Sequence, residues 1–432
     1  MKRTSLKKTL AAAAAGAVLA LACAAPATAD IVVRNVTVHT MTSAGKLEGV
    51  DILVSGDRIT AIGKGVDAPA NARSVDGKGR IVTPGLFGGL TLLGLTEIGM
   101  DPNSEDYALH LAQVRPEFDV SYAFNPDSTS IGVSRQAGVT FAAIVPMAEE
   151  GSSSQLSGTL IAGQGDAITL DGQLVPNARA LYIEMGGDGN GLSGGSRAAQ
   201  FMLLKQAILE ARTPNALIAQ DQRLLTPAGR EALLRYLNPA TKGSRRVIID
   251  VDRASDILQV LAFAQQENLQ IAISSGAEAW RVAKALAAAK VPVILDPLQN
   301  LPGSFDTVGS TLENAARLHT AGVSVAFSFA PEAHNVRKLR QAAGVAVAHG
   351  LPWEAGLAGL TRVPAEVLGI ADRVGTLEAG RRADFVVWSG DPLDVTSTAE
   401  HVFINGVAQP LRSRQTELRD RYFERVKNGR AR

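Results

Sequence analysis

Two aspartates one residue apart, Asp250 and Asp252 in "VIIDVDRAS", have the type and spacing to do chemistry. On a β-strand, positions i and i+2 face the same side, so both carboxylates can enter one site. Asp296 ends a later apolar run, "VPVILDP", and Glu332 and His334 follow the next, "VSVAFSFAP". Gathered at one mouth, these carboxylates and the imidazole could hold a hard cation such as calcium or magnesium, or grip a cationic ligand. His334 could also serve as a general base or donate to a ligand, which makes His334, Asp250 and Asp252 the candidate catalytic residues. Ser275 in "AISSG" has no His–Asp partner nearby in sequence, which weighs against a hydrolytic triad but leaves it a candidate for ligand binding. The structural alternative is that Asp250 and Asp252 cap the following helix or pair with Arg253. The other histidines, His39, His110, His319, His349 and His401, fall on β-rich ends or helices and read as surface or packing residues.

These residues need elements to position them. From Ile31, "IVVRNVTVHTM" and "VDILVSGDRITAIG" alternate apolar and polar residues, and "SGD" predicts a hairpin turn. After Pro84, short continuous apolar runs ("VTFAAIVP", "ALYIEMGG", "RRVIIDVD", "LQIAISSG", "VPVILDP", "VSVAFSFAP") alternate with amphipathic stretches such as "SRAAQFMLLKQAILEAR" and "ASDILQVLAFAQQEN". That alternation predicts parallel β/α units buried on both faces. Over this length it predicts a closed (β/α)8 barrel, whose sites lie at the C-terminal ends of the strands. An open doubly wound sheet is the runner-up, weakened because no Gly-rich phosphate loop follows the first strand. The glycine-rich "MGGDGNGLSGGS" is either a mobile loop over the pocket or a connector. β character returns in "ADFVVWSG" and "EHVFINGVAQP", with an Asn-Gly turn, before the charged helix "LRSRQTELRDRYFERVKNGRAR".

The N-terminus differs in kind. Lys2, Arg3, Lys7 and Lys8 precede an Ala/Leu-rich run that ends in "ATA" before Asp30, the pattern of a secretory signal cleaved after Ala29. The run is shorter than the ~20 residues a membrane span needs, and a lipoprotein signal at Cys23 ranks second. Loss of this segment removes four positive charges and takes the formal +1 to −3, which offers nucleic acid no partner. It also removes the single cysteine, so the mature chain has no disulfide, thiolate nucleophile or Cys–zinc site. A periplasmic or secreted location follows as the expectation.

"DGKGRIVTPGLFGG" resembles the strand and turn leading into the barrel of the amidohydrolase superfamily, and "VPAEVLGIADRVGTLEAGRRADFVVWSGDPLD" resembles its C-terminal signature. The likeness is to secreted imidazolonepropionase-like members and runs between these ends through "GVTFAAIVP", "VDRASDILQVLAFAQ" and "GAEAWRVAKALAAAKVPVILDP". It implies an α/β fold, a distorted (β/α)8 TIM-type barrel with a small composite β-sandwich from both chain ends. The expected layout is a signal over residues 1–29, a sandwich from 30–82 plus 377–410, a barrel over 83–376 and a charged helix over 411–432. It also implies hydrolysis of C–N bonds in cyclic amides, imidazolones or small peptides. One or two divalent metals such as zinc would activate the attacking water.

The residues at the implied ligand positions do not suit that metal. Two histidines at i and i+2 on the first barrel strand would be Leu90 and Leu92, which carry no lone pair. The fifth-strand pair is Asp250 and Asp252, and the sixth-strand histidine is Ser275. The eighth-strand aspartate is Ala330, or Phe329 if the alignment slips by one, and Glu184 is the candidate on the fourth strand. The expectation is a dismantled zinc centre and no cofactor, with Asp250, Asp252, Ser275, Asp296, Glu332 and His334 lining a small-molecule pocket. A catalytically inactive relative, acting as a ligand-binding protein, a homo-oligomer or a partner subunit of an active amidohydrolase, is the alternative to a surviving hydrolase.

Overall fold

Alternating residues at both ends of the chain build one sheet, as seen in a computed structural model that describes residues 30–111, 113–148, 159–213, 223–237, 246–329, 331–427 and 429. The expected signal segment, with Cys23, and the metal-ligand position Ala330 lie outside the described residues. The N-terminal strands are β1 (Ile31–His39), β2 (Lys46–Ser55), β3 (Arg58–Gly63), β4 (Arg73–Asp76) and β5 (Ile81–Pro84). From the other end come β15 (Phe385–Trp388), β16 (Ala399–Ile404) and β17 (Val407–Ala408). They pair in the order β17-β16-β15-β5-β1-β2-β3, with β4 beside β1. β15 runs antiparallel to β5 and joins the two ends, and Trp388 donates its indole N–H to Thr83 Oγ1 at 2.9 Å. Val33, Val36, Ile52, Ile59, Phe385 and Phe403 form this sheet's own core. The β16–β17 turn uses Asn405 and Gly406, both with positive φ, as a two-residue hairpin requires.

The second sheet is the barrel. Its strands are β6 (Leu86–Thr91), β7 (Val139–Ile144), β8 (Ile161–Thr169), β10 (Ala180–Glu184), β11 (Val247–Val251), β12 (Ile271–Ser275), β13 (Val293–Leu295) and β14 (Val325–Phe327), in that spatial order. A short strand β9 (Gln173–Leu174) pairs with β8 at the margin. The edges β6 and β14 meet where Leu90 N–H donates to Ser328 Oγ at 2.9 Å and Leu92 N–H donates to Pro331 O at 2.5 Å. Gly89 makes this approach possible: its φ is +86°, and a Cβ there would lie 2.9 Å from Ser328 Oγ.

Both faces of these strands are buried, and successive residues go to different cores. Ile249, Ile273, Leu295 and Phe327 join the outer core, with Ile257, Val260 and Phe263 of the helix Ala254–Glu267 and Leu339 and Ala343 of the helix Leu339–Ala348. Ile248, Ala272, Ile294 and Ala326 instead join Leu90, Leu92 and Tyr182 in the barrel's interior. The fold is thus a TIM-type α/β barrel with an added β domain. It departs from a regular (β/α)8 pattern at β8, which runs antiparallel to both β7 and β10. Parallel neighbours need a crossover connection, and among the described residues no helix lies between β7 and β8.

Candidate functional site

The next inward position beyond Tyr182, Ile248, Ala272, Ile294 and Ala326 is Glu184, Asp250, Ser274, Asp296 and Ser328 respectively. All five line one cavity of about 160 Å3 at the C-terminal ends of the strands. Leu90, Ile248 and Ile294 give it an apolar base, and Val145, Met147, Phe329 and Pro331 add apolar wall. Ser275, the last residue of β12, also lines it. Its φ of +66° is rare for a residue with a side chain, and its hydroxyl donates to Asp250 Oδ2 at 2.8 Å.

The carboxyls here crowd one another. Glu184 and Asp250 are neighbours in register across β10 and β11. Burial, with the charges of Asp250, Asp188 and Asp252 behind it, raises the Glu184 pKa well above the ordinary carboxyl range. Burial also raises Asp250, opposed by hydrogen bonds from Ser275 and Ser274. Asp296 is raised by burial, although it accepts Leu298 N–H at 2.8 Å. Asp252 is not among the lining residues; it accepts Ala277 N–H at 2.8 Å and is pushed up to about 7 by burial and then by Asp250. Tyr182 is only 7% exposed, and its hydroxyl has no partner among the described residues.

The structure thus gathers Asp250, Ser275 and Asp296 around one cavity with Glu184 beside Asp250, while Asp252, expected to line it, does not. It does not bring Glu332 and His334 there. Those two are exposed and face each other, His334 Nε2 lying 3.3 Å from Glu332 Oε2. His334 borders a separate groove with Thr129, Arg337 and Arg414. The reason is the path of the chain: after β14 it turns into the 3₁₀ helix Ala333–Lys338, whose Val336 is drawn into the outer core. A site built on Asp250, Asp252 and His334 together is therefore corrected to one without the imidazole. The capping alternative also changes. Arg253 pairs with Asp256 at 2.5 Å, and Glu278 Oε2, rather than either aspartate, receives the Ala254 N–H at the helix start.

Sequence reasoning missed Ser274, Ser328 and Tyr182. Inward parity counted from Asp250 along paired strands would have found the first two, since Asp250 pairs with Ser274 across β11 and β12. The glycine-rich segment is a tied connector. Gln200 binds both the N–H and the C=O of Gly186, and Gly187 N–H donates to Asp306 Oδ2 at 2.6 Å. Arg197 then clamps Asp306 and Asp256, at 2.7 Å each.

A zinc site needs about four nitrogen, oxygen or sulfur donors set tetrahedrally. Leu90 and Leu92 are buried hydrocarbon in the barrel's interior. Among the described residues no three His, Cys, Asp or Glu side chains are grouped to hold a metal, and no histidine lines this cavity. The donor set does not fit zinc.

The chain's likenesses agree with this architecture. The model of the Amidohydrolase family matches residues 248–411. An imidazolonepropionase from Mesorhizobium japonicum is 33% identical over 118 residues, covering 26% of this chain and 27% of that protein, so the match spans about a quarter of the relative's length. The crystal structure of an amidohydrolase from Thermotoga maritima MSB8 superposes with a TM-score of 0.76 at 27% identity, covering 88% of this chain and 100% of that one. A mutant atrazine chlorohydrolase from Arthrobacter aurescens TC1, solved with zinc and atraton, shares the fold at a TM-score of 0.52 and 17% identity over 92% of this chain and 99% of its own. A mostly parallel barrel whose strand ends open on one cavity, a β domain joined from both chain ends and these matches make the chain similar to the amidohydrolase superfamily.

Proposed function

We propose that this amidohydrolase-superfamily chain is an exported binding barrel that holds a small molecule at its mouth without a zinc centre. The observation that carries the reading is the pair Leu90 and Leu92, packed as interior hydrocarbon where the resemblance requires two nitrogen ligands. With them go Ser275 on the sixth strand and the exposure of His334 away from the cavity. Export rests on the basic head, apolar middle and small-residue cleavage pattern ahead of Asp30.

The second reading is a surviving hydrolase of C–N bonds, favoured by one feature of the site. Glu184 and Asp250 are adjacent carboxyls with raised affinities for a proton, the condition under which carboxyls serve as acid and base near neutrality. Turnover decides between the two. Purified protein is assayed against imidazolones, N-acyl amino acids and dipeptides, with added zinc and with a chelator. The binding-barrel reading expects no product above background in either condition. Chelator-sensitive turnover restores the metal hydrolase, and chelator-resistant turnover lost in Glu184→Gln establishes a metal-free one.

A further inference from the structure

We propose that the mouth cavity selects a small organic monocation bearing N–H donors, an ammonium or amidinium on an apolar body about the size of a benzene ring. This rests on the binding-barrel reading above and names the class of its ligand. Among the described residues three carboxyl side chains, Glu184, Asp250 and Asp296, line the cavity, and no lysine, arginine or histidine does. The charged groups whose fields reach Glu184 are Asp250, Asp188 and Asp252, all acidic. The nearby cations are already engaged: Arg197 holds Asp256 and Asp306, and Arg253 holds Asp256. A buried carboxylate without a counter-charge is costly, and a cation arriving with the ligand removes that cost.

Two further features point to an occupant. The Glu184 carboxyl, partly exposed and lining this cavity, receives no hydrogen-bond donor from the described residues. Polar groups withdrawn from bulk water are almost always paired, so a carboxyl left without a protein donor at a cavity marks where a ligand's own polar atoms can go. The base of Leu90, Ile248 and Ile294 is hydrocarbon, which suits an organic body and offers a bare metal ion nothing. The size follows from the volume of about 160 Å3, since an apolar cavity of about 150 Å3 accepts benzene.

The test is titration calorimetry of the mature wild-type protein at pH 8 with benzylamine, benzyl alcohol and benzoate, three probes of one shape and different charge. The proposal expects benzylamine to bind at least tenfold more tightly than benzyl alcohol, and benzoate not at all. In Glu184→Gln/Asp250→Asn that preference of amine over alcohol should fall below threefold. Equal binding of amine and alcohol overturns the cation class and leaves the binding-barrel reading standing. Absence of binding by all three overturns both. An amine preference that survives in the double variant places the amine elsewhere and overturns the assignment. Calcium chloride alone is a further arm: displacement of benzylamine by calcium at equimolar amounts would make the site a metal site instead. The wild-type comparison stands on its own if the double variant fails to fold.

Discussion

Leu90 and Leu92 shape the energetics of the barrel's interior. A histidine at either position brings two ring nitrogens that must find partners, whereas leucine there simply extends the interior hydrocarbon shared with Ile248 and Ile294. The carboxyls above them carry the opposite character, and Asp252 shows it through pH. Its ordinary pKa is 3.8 and the folded state pushes it up to about 7, chiefly through burial. Between these values the folded chain keeps a proton that the unfolded chain has lost. Stability therefore falls as pH rises through this window, and the full cost is present above it. After allowance for its remaining contact with water, that cost is about 2 kcal/mol. Asp252→Asn keeps an acceptor for Ala277 N–H but cannot ionise. It should melt about 2 °C or more above wild type at pH 8 and close to wild type at pH 4. A melting point lowered at both pH values would mean that the charged carboxylate is structural. At this scale Asp250 and Asp296 stand out in the sequence because a carboxylate ending an apolar run is conspicuous, and both line the cavity, whereas Asp252 does not. His334 misled because the turn that carries it outward is set by Val336 packing three-dimensionally, and no local pattern announces that.

Among the elements, the strands read correctly were those with unbroken apolar runs, such as β11 and β12. β8, "IAGQGDAIT", escaped because Gly163, Gln164, Gly165 and Asp166 interrupt its apolar period. Close packing accounts for the glycine at 165: a Cβ there would lie 2.2 Å from Ile144 O. The glycine-rich stretch after β10 has composition typical of a loose loop, yet its order comes from Gln200, Arg197 and Asp306, distant in sequence. Arg197 joins two carboxylates that are each about a tenth exposed. Its loss leaves both without their shared cation, so Arg197→Ala should cost about 2 kcal/mol. Hydrogen exchange of the amides of Gly186 and Gly187 should accelerate at the same time. Unchanged exchange in that variant would show that Gln200 alone orders the segment.

For the molecule as a whole, the amidohydrolase frame was legible from its two ends, where long signatures survive, and the joining of those ends is the feature with the largest consequence. β5 lies between β1 and β15, so strands from residues 31–84 and 385–408 complete one sheet. Removing everything after Gly380 takes away β15, β16 and β17 and bares the edge of β5 together with the core face that Phe385 and Phe403 cover. Such a truncation should be insoluble on expression. A soluble truncation with the wild-type barrel's melting temperature would mean that the terminal strands fold independently of each other.

The central claim, a barrel of this superfamily whose zinc ligands have been replaced, is tested most directly by the metal content of the mature protein. Purified protein is dialysed against zinc, washed and analysed for metal per chain. A metal bound only by the folded state stabilises it by about 4 kcal/mol at a thousandfold excess over Kd, so the melting curve with and without chelator reports the same quantity independently. The account predicts well under one zinc per chain and a melting temperature that the chelator leaves where it was. One zinc per chain, with a melting temperature lowered by several degrees on chelation, would contradict it and mean that the carboxylates at the mouth had rebuilt the centre around the two leucines.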